Sequence, residues 1–143
     1  AEGGTVGSLE PKLTVSGGIV STAGITPDTR YPWGQCTWWA ATRRADIGKP
    51  IPGWGNAATW AGSAASAGYT VDGSPSAGSV IVFQPGVLGA SADYGHVAMV
   101  EEVRGDGSIL ISESNALGLG VVSTREISAS QLAAAGNGVR YIH

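Results

Sequence analysis

The chain has 143 residues, 43% of them apolar, the size and composition of one domain able to bury a single hydrophobic core. A formal charge of -3 with no Lys/Arg block argues against a phosphate-neutralising surface, so nucleic acid is excluded as the main partner. No run of about 20 apolar residues is present to span a bilayer, and the start lacks the basic and apolar stretches of a signal peptide. The expectation is a soluble, already trimmed chain with no membrane partner.

Residues 1–26 mix Gly, Ser, Thr and Val with little periodicity, which predicts an N-terminal arm or linker holding one short strand. Residues 27–143 are expected to form the functional domain. From Gly34 to about Ile47 the residues have helical character, bounded by Pro32 and Gly34 before and Gly48 after, so Cys36 falls in the first helical turn. Lys49 to Gly55 is a Pro/Gly loop carrying Trp54. A second helix is predicted with Asn56 as its N-cap and Gly68 at its close.

The remainder reads as strand: Ser79–Gln84, His96–Val103, Ser108–Ser114 and Val121–Ile127, each rich in Val or Ile and bounded by Gly, Pro or Asp-Gly. Ser128 with Gln131 forms a capping-box pattern before a short Ala-rich turn, and Val139–Ile142 reads as a last strand. Helices followed by an antiparallel sheet define an α+β class. No repeat of 20 to 50 residues is visible, which excludes a solenoid.

Cys36 is the only cysteine, so an internal disulfide is impossible and the residue is either a buried small hydrophobe or a reactive thiol. A thiol becomes a strong nucleophile as thiolate, and a helix N-terminus together with an imidazolium lowers its pKa. Only His96 and His143 can supply that imidazolium. His143 ends the chain and is expected to be an exposed terminus, whereas His96 opens a strand beside a Gly/Ser-rich loop.

Strand geometry adds a carboxylate. If His96–Val103 and Ser108–Ser114 form a hairpin closed by two residues within Arg104–Gly107, His96 shares a face with Glu113 and Asn115. A turn on Gly105 and Asp106 sets His96 opposite Asn115, while one on Asp106 and Gly107 moves the match by one pair. A bulge or an odd-length loop would overturn the inference. On that face Glu113 is placed to fix the tautomer of His96, with Asn115 as a further polar group. One Cys and two His, one of them terminal, do not close a zinc site, so no metal and no cofactor is expected.

The words Tyr31-Pro32-Trp33-Gly34-Gln35-Cys36-Thr37-Trp38, Trp54-Gly55-Asn56-Ala57, Tyr94-Gly95-His96-Val97-Ala98 and Ser112-Glu113-Ser114-Asn115 resemble those of the CHAP family, the cysteine, histidine-dependent amidohydrolases/peptidases. The resemblance covers about residues 27–142. It implies a papain-like fold, N-terminal helices packed on an antiparallel sheet, and hydrolysis of an amide in bacterial peptidoglycan, either between glycan and stem peptide or within the peptide. By motif, Cys36 matches the nucleophile, His96 the base, Glu113 the third member and Asn115 an additional polar residue, while Gln35 supports the oxyanion hole.

Some phage members of that family bind calcium before the cysteine, but here Gly24–Trp33 contains only Asp28 as an acid, too few oxygen ligands for the ion. Trp33, Trp54, Tyr94 and whichever of Trp38 and Trp39 faces outward are candidate substrate contacts, with Trp39 and Trp60 expected in the core. The resemblance implies a secreted or phage-delivered protein acting at the cell wall, and a monomer is expected. The rival from another class is a catalytically silent wall-binding or assembly module of the same fold. A second is a cysteine protease or amidase with a different substrate.

Overall fold

The Val-Ile-Val-Phe run at 80–83 offers no polar alternation, the pattern of a strand covered on both faces. The computed structural model, which describes residues 5–143, places it inside an antiparallel sheet with helices on both sides. In chain order the elements are β1 (Thr5–Ser8), β2 (Thr14–Ser16), β3 (Ile19–Ser21), α1 (Cys36–Asp46), α2 (Trp60–Ser66), β4 (Val71–Asp72), β5 (Val80–Phe83), β6 (His96–Arg104), β7 (Ile109–Ser114), β8 (Val122–Ile127), α3 (Ala129–Ala135) and β9 (Val139–Ile142). The strands lie in the order β2-β3-β8-β7-β6-β5-β9-β4, and β1 pairs with the far part of β6, beyond the end of β5.

This is the α+β arrangement expected, with differences at β4, which the sequence pattern did not suggest, and in the N-terminal stretch. Residues 5–21, within the stretch expected to be a linker with one strand, supply three strands, β1 on β6 and the β2–β3 hairpin on β8. The side chains of β2 and β3 are exposed except for Val20, so pairing comes from backbone hydrogen bonds that leave little hydrophobic pattern to read. The helices therefore follow three strands, and residues 1–4 of that stretch lie outside the described residues.

Two apolar clusters sandwich the sheet. Trp38, Trp39, Trp60, Val80, Val82, Val97 and Met99 join the sheet to α1 and α2. Ile81, Phe83, Ala98, Val100, Ile111 and Tyr141 fill the other face beneath Leu88, Leu132 and Ala135. Trp38 and Trp39 are both buried, so neither faces outward. Ser128 and Gln131 form the capping box of α3. Asn56 differs from expectation: a 3₁₀ turn at 57–59 precedes α2, and the Asn56 side chain makes no cap bond.

The β6–β7 hairpin holds both departures that would each have upset the register. Val103 pairs with Ile109 across a five-residue connection, and a bulge at Glu101 then moves the pairing so that Val100 meets Ile111 and Met99 meets Ser112. The two cancel, restoring the register that puts His96 on the face of Glu113. The bulge residue has a structural duty as well. Glu101 accepts from Arg43 Nε (3.1 Å) and Nη2 (2.8 Å) and from Ser112 Oγ (2.8 Å), and Trp39 Nε1 donates to Ser112 Oγ (2.9 Å). A fully buried guanidinium needs such complete pairing, since an unpartnered buried charge costs several kcal/mol. The network seats α1 on the sheet.

The terminus expected to be free is tied down: His143 Nε2 lies 2.7 Å from Asp72 Oδ1 and its Nδ1 lies 2.7 Å from Ser76 Oγ.

Candidate active site

The first residue of α1, Cys36, and the first residue of β6, His96, meet at one end of the sheet. A glycine at a crowded left-handed position lies two residues before Cys36 and directly before His96. Gly34 has φ +83° and a Cβ there would stand 2.7 Å from the Gly120 nitrogen, while Gly95 has φ +71° and a Cβ would stand 2.5 Å from the Phe83 carbonyl oxygen. The Gly34 carbonyl accepts from Ser114 Oγ (2.7 Å) and Gly120 N–H (3.1 Å), tying the segment before Cys36 to the end of β7.

Cys36 is half-buried and lines the cleft with His96, whose imidazole is the charged partner of its thiol. Burial pushes the thiol up, but the hydrogen bond and charge of His96, with the backbone N–H groups of Val97 and Thr37, outweigh it and hold the pKa below its ordinary value. The N-terminus of α1 adds a favourable dipole, and the N-cap residue Gln35 makes no side-chain cap bond that would occupy those N–H groups.

Glu113 Oε1 lies 2.9 Å from His96 Nε2, which leaves Nδ1 as the nitrogen available to the thiol. Burial opposes the imidazolium, yet the bonds to Cys36 and Glu113 and their charges prevail and raise His96 to about 9. For Glu113 the order is similar: burial raises it, and hydrogen bonds from His96 and Arg125 with their charges bring it below its usual value. The three shifts favour thiolate, imidazolium and carboxylate together.

Sequence reasoning missed Arg125. It forks onto Glu113 through Nε to Oε2 and Nη2 to Oε1, both 3.0 Å, and donates Nη1 to the Leu88 carbonyl at 2.8 Å. The signal was available in strand parity, because Ile111 pairs with Arg125 and Glu113 with Ser123 across β7 and β8, which puts Arg125 diagonal to Glu113 on one face.

Asn115 lines the same lobe as His96 but makes no hydrogen bond with it. It takes φ +65°, a conformation asparagine tolerates, and donates Nδ2 to Gln35 Oε1 at 3.2 Å. That bond occupies Gln35 Oε1, which leaves the N–H₂ as the remaining polar group of this side chain in the cleft wall that it shares with Cys36.

The cleft has two lobes meeting at Gln35, Cys36, Tyr94 and Gly95. One, of about 530 Å³, is walled by Leu88, Leu117, Thr124 and Arg125, and the other, of about 470 Å³, by Arg30, Tyr31, Asn56 and Ala57. Among the aromatic candidates, Tyr94 stands between the lobes and is 60% exposed. Trp54 is instead packed edge-on against Trp60 and Tyr69 and lines neither lobe. Trp33 is exposed but sits outside both lobes, lying over Gly120 with Trp38 at 5.9 Å. Asp28 spends its carboxylate on the backbone N–H groups of Arg30 and Tyr31 and on Arg30 Nε. Among the described residues no group of three or more His, Cys, Asp or Glu is placed to hold a metal, and no helix is long and apolar enough to cross a membrane.

Fold and site together define a papain-like α+β domain with a cysteine, histidine and carboxylate group at a helix start. Residues 26–115, more than half of the chain, match the family model described as the CHAP domain, and the chain belongs to that family. It is 46% identical over 114 residues to a probable autolysin of Staphylococcus aureus, covering 79% of this chain and 40% of that protein. It is 40% identical over 147 residues to an N-acetylmuramoyl-L-alanine amidase, sle1, of the same species, covering 92% of this chain and 41% of that one. A crystal structure of an N-acetylmuramoyl-L-alanine amidase from Staphylococcus aureus superposes with a TM-score of 0.74 at 41% identity, over 80% of this chain and 31% of that one. The crystal structure of Ly7917, at 24% identity and a TM-score of 0.54, shares the fold. The chain thus spans about two fifths of the length of the probable autolysin and of sle1.

Proposed function

We propose that this domain hydrolyses an amide bond of bacterial peptidoglycan through an acyl-enzyme on Cys36. The observation that carries the reading is the His96 ring held between the Cys36 thiol and the Glu113 carboxylate inside the two-lobed cleft. In this mechanism the Cys36 thiolate adds to the amide carbonyl, and the oxyanion is met by the Gln35 amide and the backbone N–H groups at the start of α1. The His96 imidazolium gives its proton to the departing amine as the C–N bond breaks. Water then attacks the thioester with His96 as base, releasing the carboxylic acid and restoring the thiol.

Glu113 keeps the ring oriented and offsets its charge, while Asn115 acts one step away by orienting Gln35. Tyr94, between the lobes, contacts substrate on both sides of the scissile bond. The substrate extends in both directions from the bond, as a crosslinked wall does. Relatives named N-acetylmuramoyl-L-alanine amidase favour the bond joining the muramoyl lactyl group to L-alanine over bonds within the peptide. The protein acts outside the cell, at the wall, as a monomer.

Purified peptidoglycan incubated with the chain is expected to release new amino groups without new reducing ends, with peptides beginning in L-alanine identified by mass and none produced by Cys36→Ser. Peptides cut at an internal or cross-bridge amide would assign the domain as an endopeptidase. Release of reducing ends alone would contradict amide hydrolysis.

A further inference from the structure

Glu113 is only 2% exposed, on a face otherwise filled by apolar side chains, so its carboxylate needs more than one partner to stay ionised there. His96 supplies one hydrogen bond, to Oε1. Both oxygens are taken by the fork of Arg125, whose own orientation is set by the Leu88 carbonyl and by the Phe83 ring 5.5 Å from its Cζ. Phe83 also packs 5.4 Å from the His96 ring.

We propose that Arg125 is a positioning residue of this site, clamping both oxygens of Glu113 so that the carboxylate meets His96 at a fixed angle. The inference rests on the hydrolytic reading of Cys36 and His96. A fork that donates two parallel bonds permits one carboxylate orientation, which a single contact would leave free to rotate. The titratable groups that line the lobe with Arg125 are Glu113 on β7, His96 on β6, Cys36 on α1 and Tyr94 just before β6; β9 adds the buried Tyr141 to the apolar cluster on that face, while β5, α3 and residues 87–89 contribute none. The next residue, Glu126, pairs with Arg104.

Arg125 also lines the cleft and its side chain is 35% exposed, so a direct contact with a substrate carboxylate is the competing role. The two roles move different quantities. Arg125 helps hold Glu113 ionised, Glu113 supports the charge on His96, and that charge lowers the Cys36 thiol, so loss of Arg125 weakens this coupling and moves the acid limb of Cys36 reactivity to higher pH. A substrate contact would change KM and leave the free thiol alone.

The test uses the full chain with Arg125→Gln and Arg125→Lys, soluble muropeptides for kcat and KM, and iodoacetamide for the pH profile of Cys36 alkylation. Arg125→Gln is expected to lower kcat about 10- to 100-fold, the usual cost of losing an outer support, with KM nearly unchanged and the alkylation profile displaced to higher pH. Arg125→Lys should keep the profile in place, because it keeps the charge, and recover only part of kcat, because it loses the fork.

A rise in KM with kcat and the alkylation profile unmoved would overturn the proposal in favour of substrate binding. A lower melting temperature with both unmoved would overturn it in favour of a structural pin. Should Arg125→Gln fail to fold by circular dichroism, Arg125→Lys decides: native kcat in the lysine variant would refute the need for the fork. If the unmodified chain cuts no muropeptide, the proposed reaction fails, while the alkylation profiles still report whether Arg125 acts on the Cys36–His96–Glu113 group.

Discussion

His96→Ala is expected to lower amide hydrolysis by about 10⁶, the scale on which loss of one member disables a nucleophile–base group acting as a unit. Two steps fail together. The thiol loses the hydrogen bond and charge that overcome its burial, so it reverts toward a neutral, poorly nucleophilic form. The departing amine loses its proton donor, and His143 cannot substitute because it is fixed to Asp72 and Ser76. The check is a pair of measurements on one preparation: the turnover rate on muropeptides, and the alkylation rate of Cys36 at pH 6, where the native chain should react fast and the variant slowly. Equal alkylation rates would show that the thiolate does not depend on His96.

Glu113→Gln should reduce kcat by about 10³ to 10⁴, comparable to the loss when the orienting carboxylate of a serine triad is amidated. The amide is nearly the same size but carries no charge and presents an N–H₂ where His96 or Arg125 expects an acceptor. The sign of the pH effect follows from His96. Its folded pKa, about 9, lies above the ordinary 6.5, so the stabilisation from its pairing is complete below 6.5 and is lost as pH rises through about 9. Without the Glu113 charge the folded pKa falls, so the alkaline limb of kcat/KM should move to lower pH. Thermal melts of the native chain and the variant should differ most at pH 6, and the gap should narrow above 9 without closing, because the variant still lacks the carboxylate that Arg125 forks onto. An unmoved alkaline limb would show that Glu113 does not set the charge on His96.

Helices α1 and α2, strands β5 to β9 and the meeting of Cys36, His96 and Glu113 were legible because each depends on local pattern: glycine punctuation, β-branched runs and side-chain parity. The parity argument reached the right face by a route the sequence does not expose, since the five-residue connection after Val103 and the bulge at Glu101 cancel. A bulge is set by the tertiary demand that Glu101 meet Arg43, and no residue type marks it in advance. The strands within residues 5–21 were illegible because backbone pairing without a buried face has no hydrophobic signature. Trp54 shows the same limit at single-residue scale. A tryptophan in a Gly/Pro loop reads equally well as ligand platform or packing, and the contacts with Trp60 and Tyr69 that decide it come from distant parts of the chain.

Because the chain has one cysteine, alkylating that thiol modifies a single chemical group, and hydrolysis can be followed against its occupancy. Peptidoglycan amide hydrolysis is predicted to fall in direct proportion to the fraction of Cys36 carrying carboxamidomethyl by intact mass, reaching zero at one equivalent. Hydrolysis that persists after complete modification would contradict a cysteine nucleophile and the mechanism built on it.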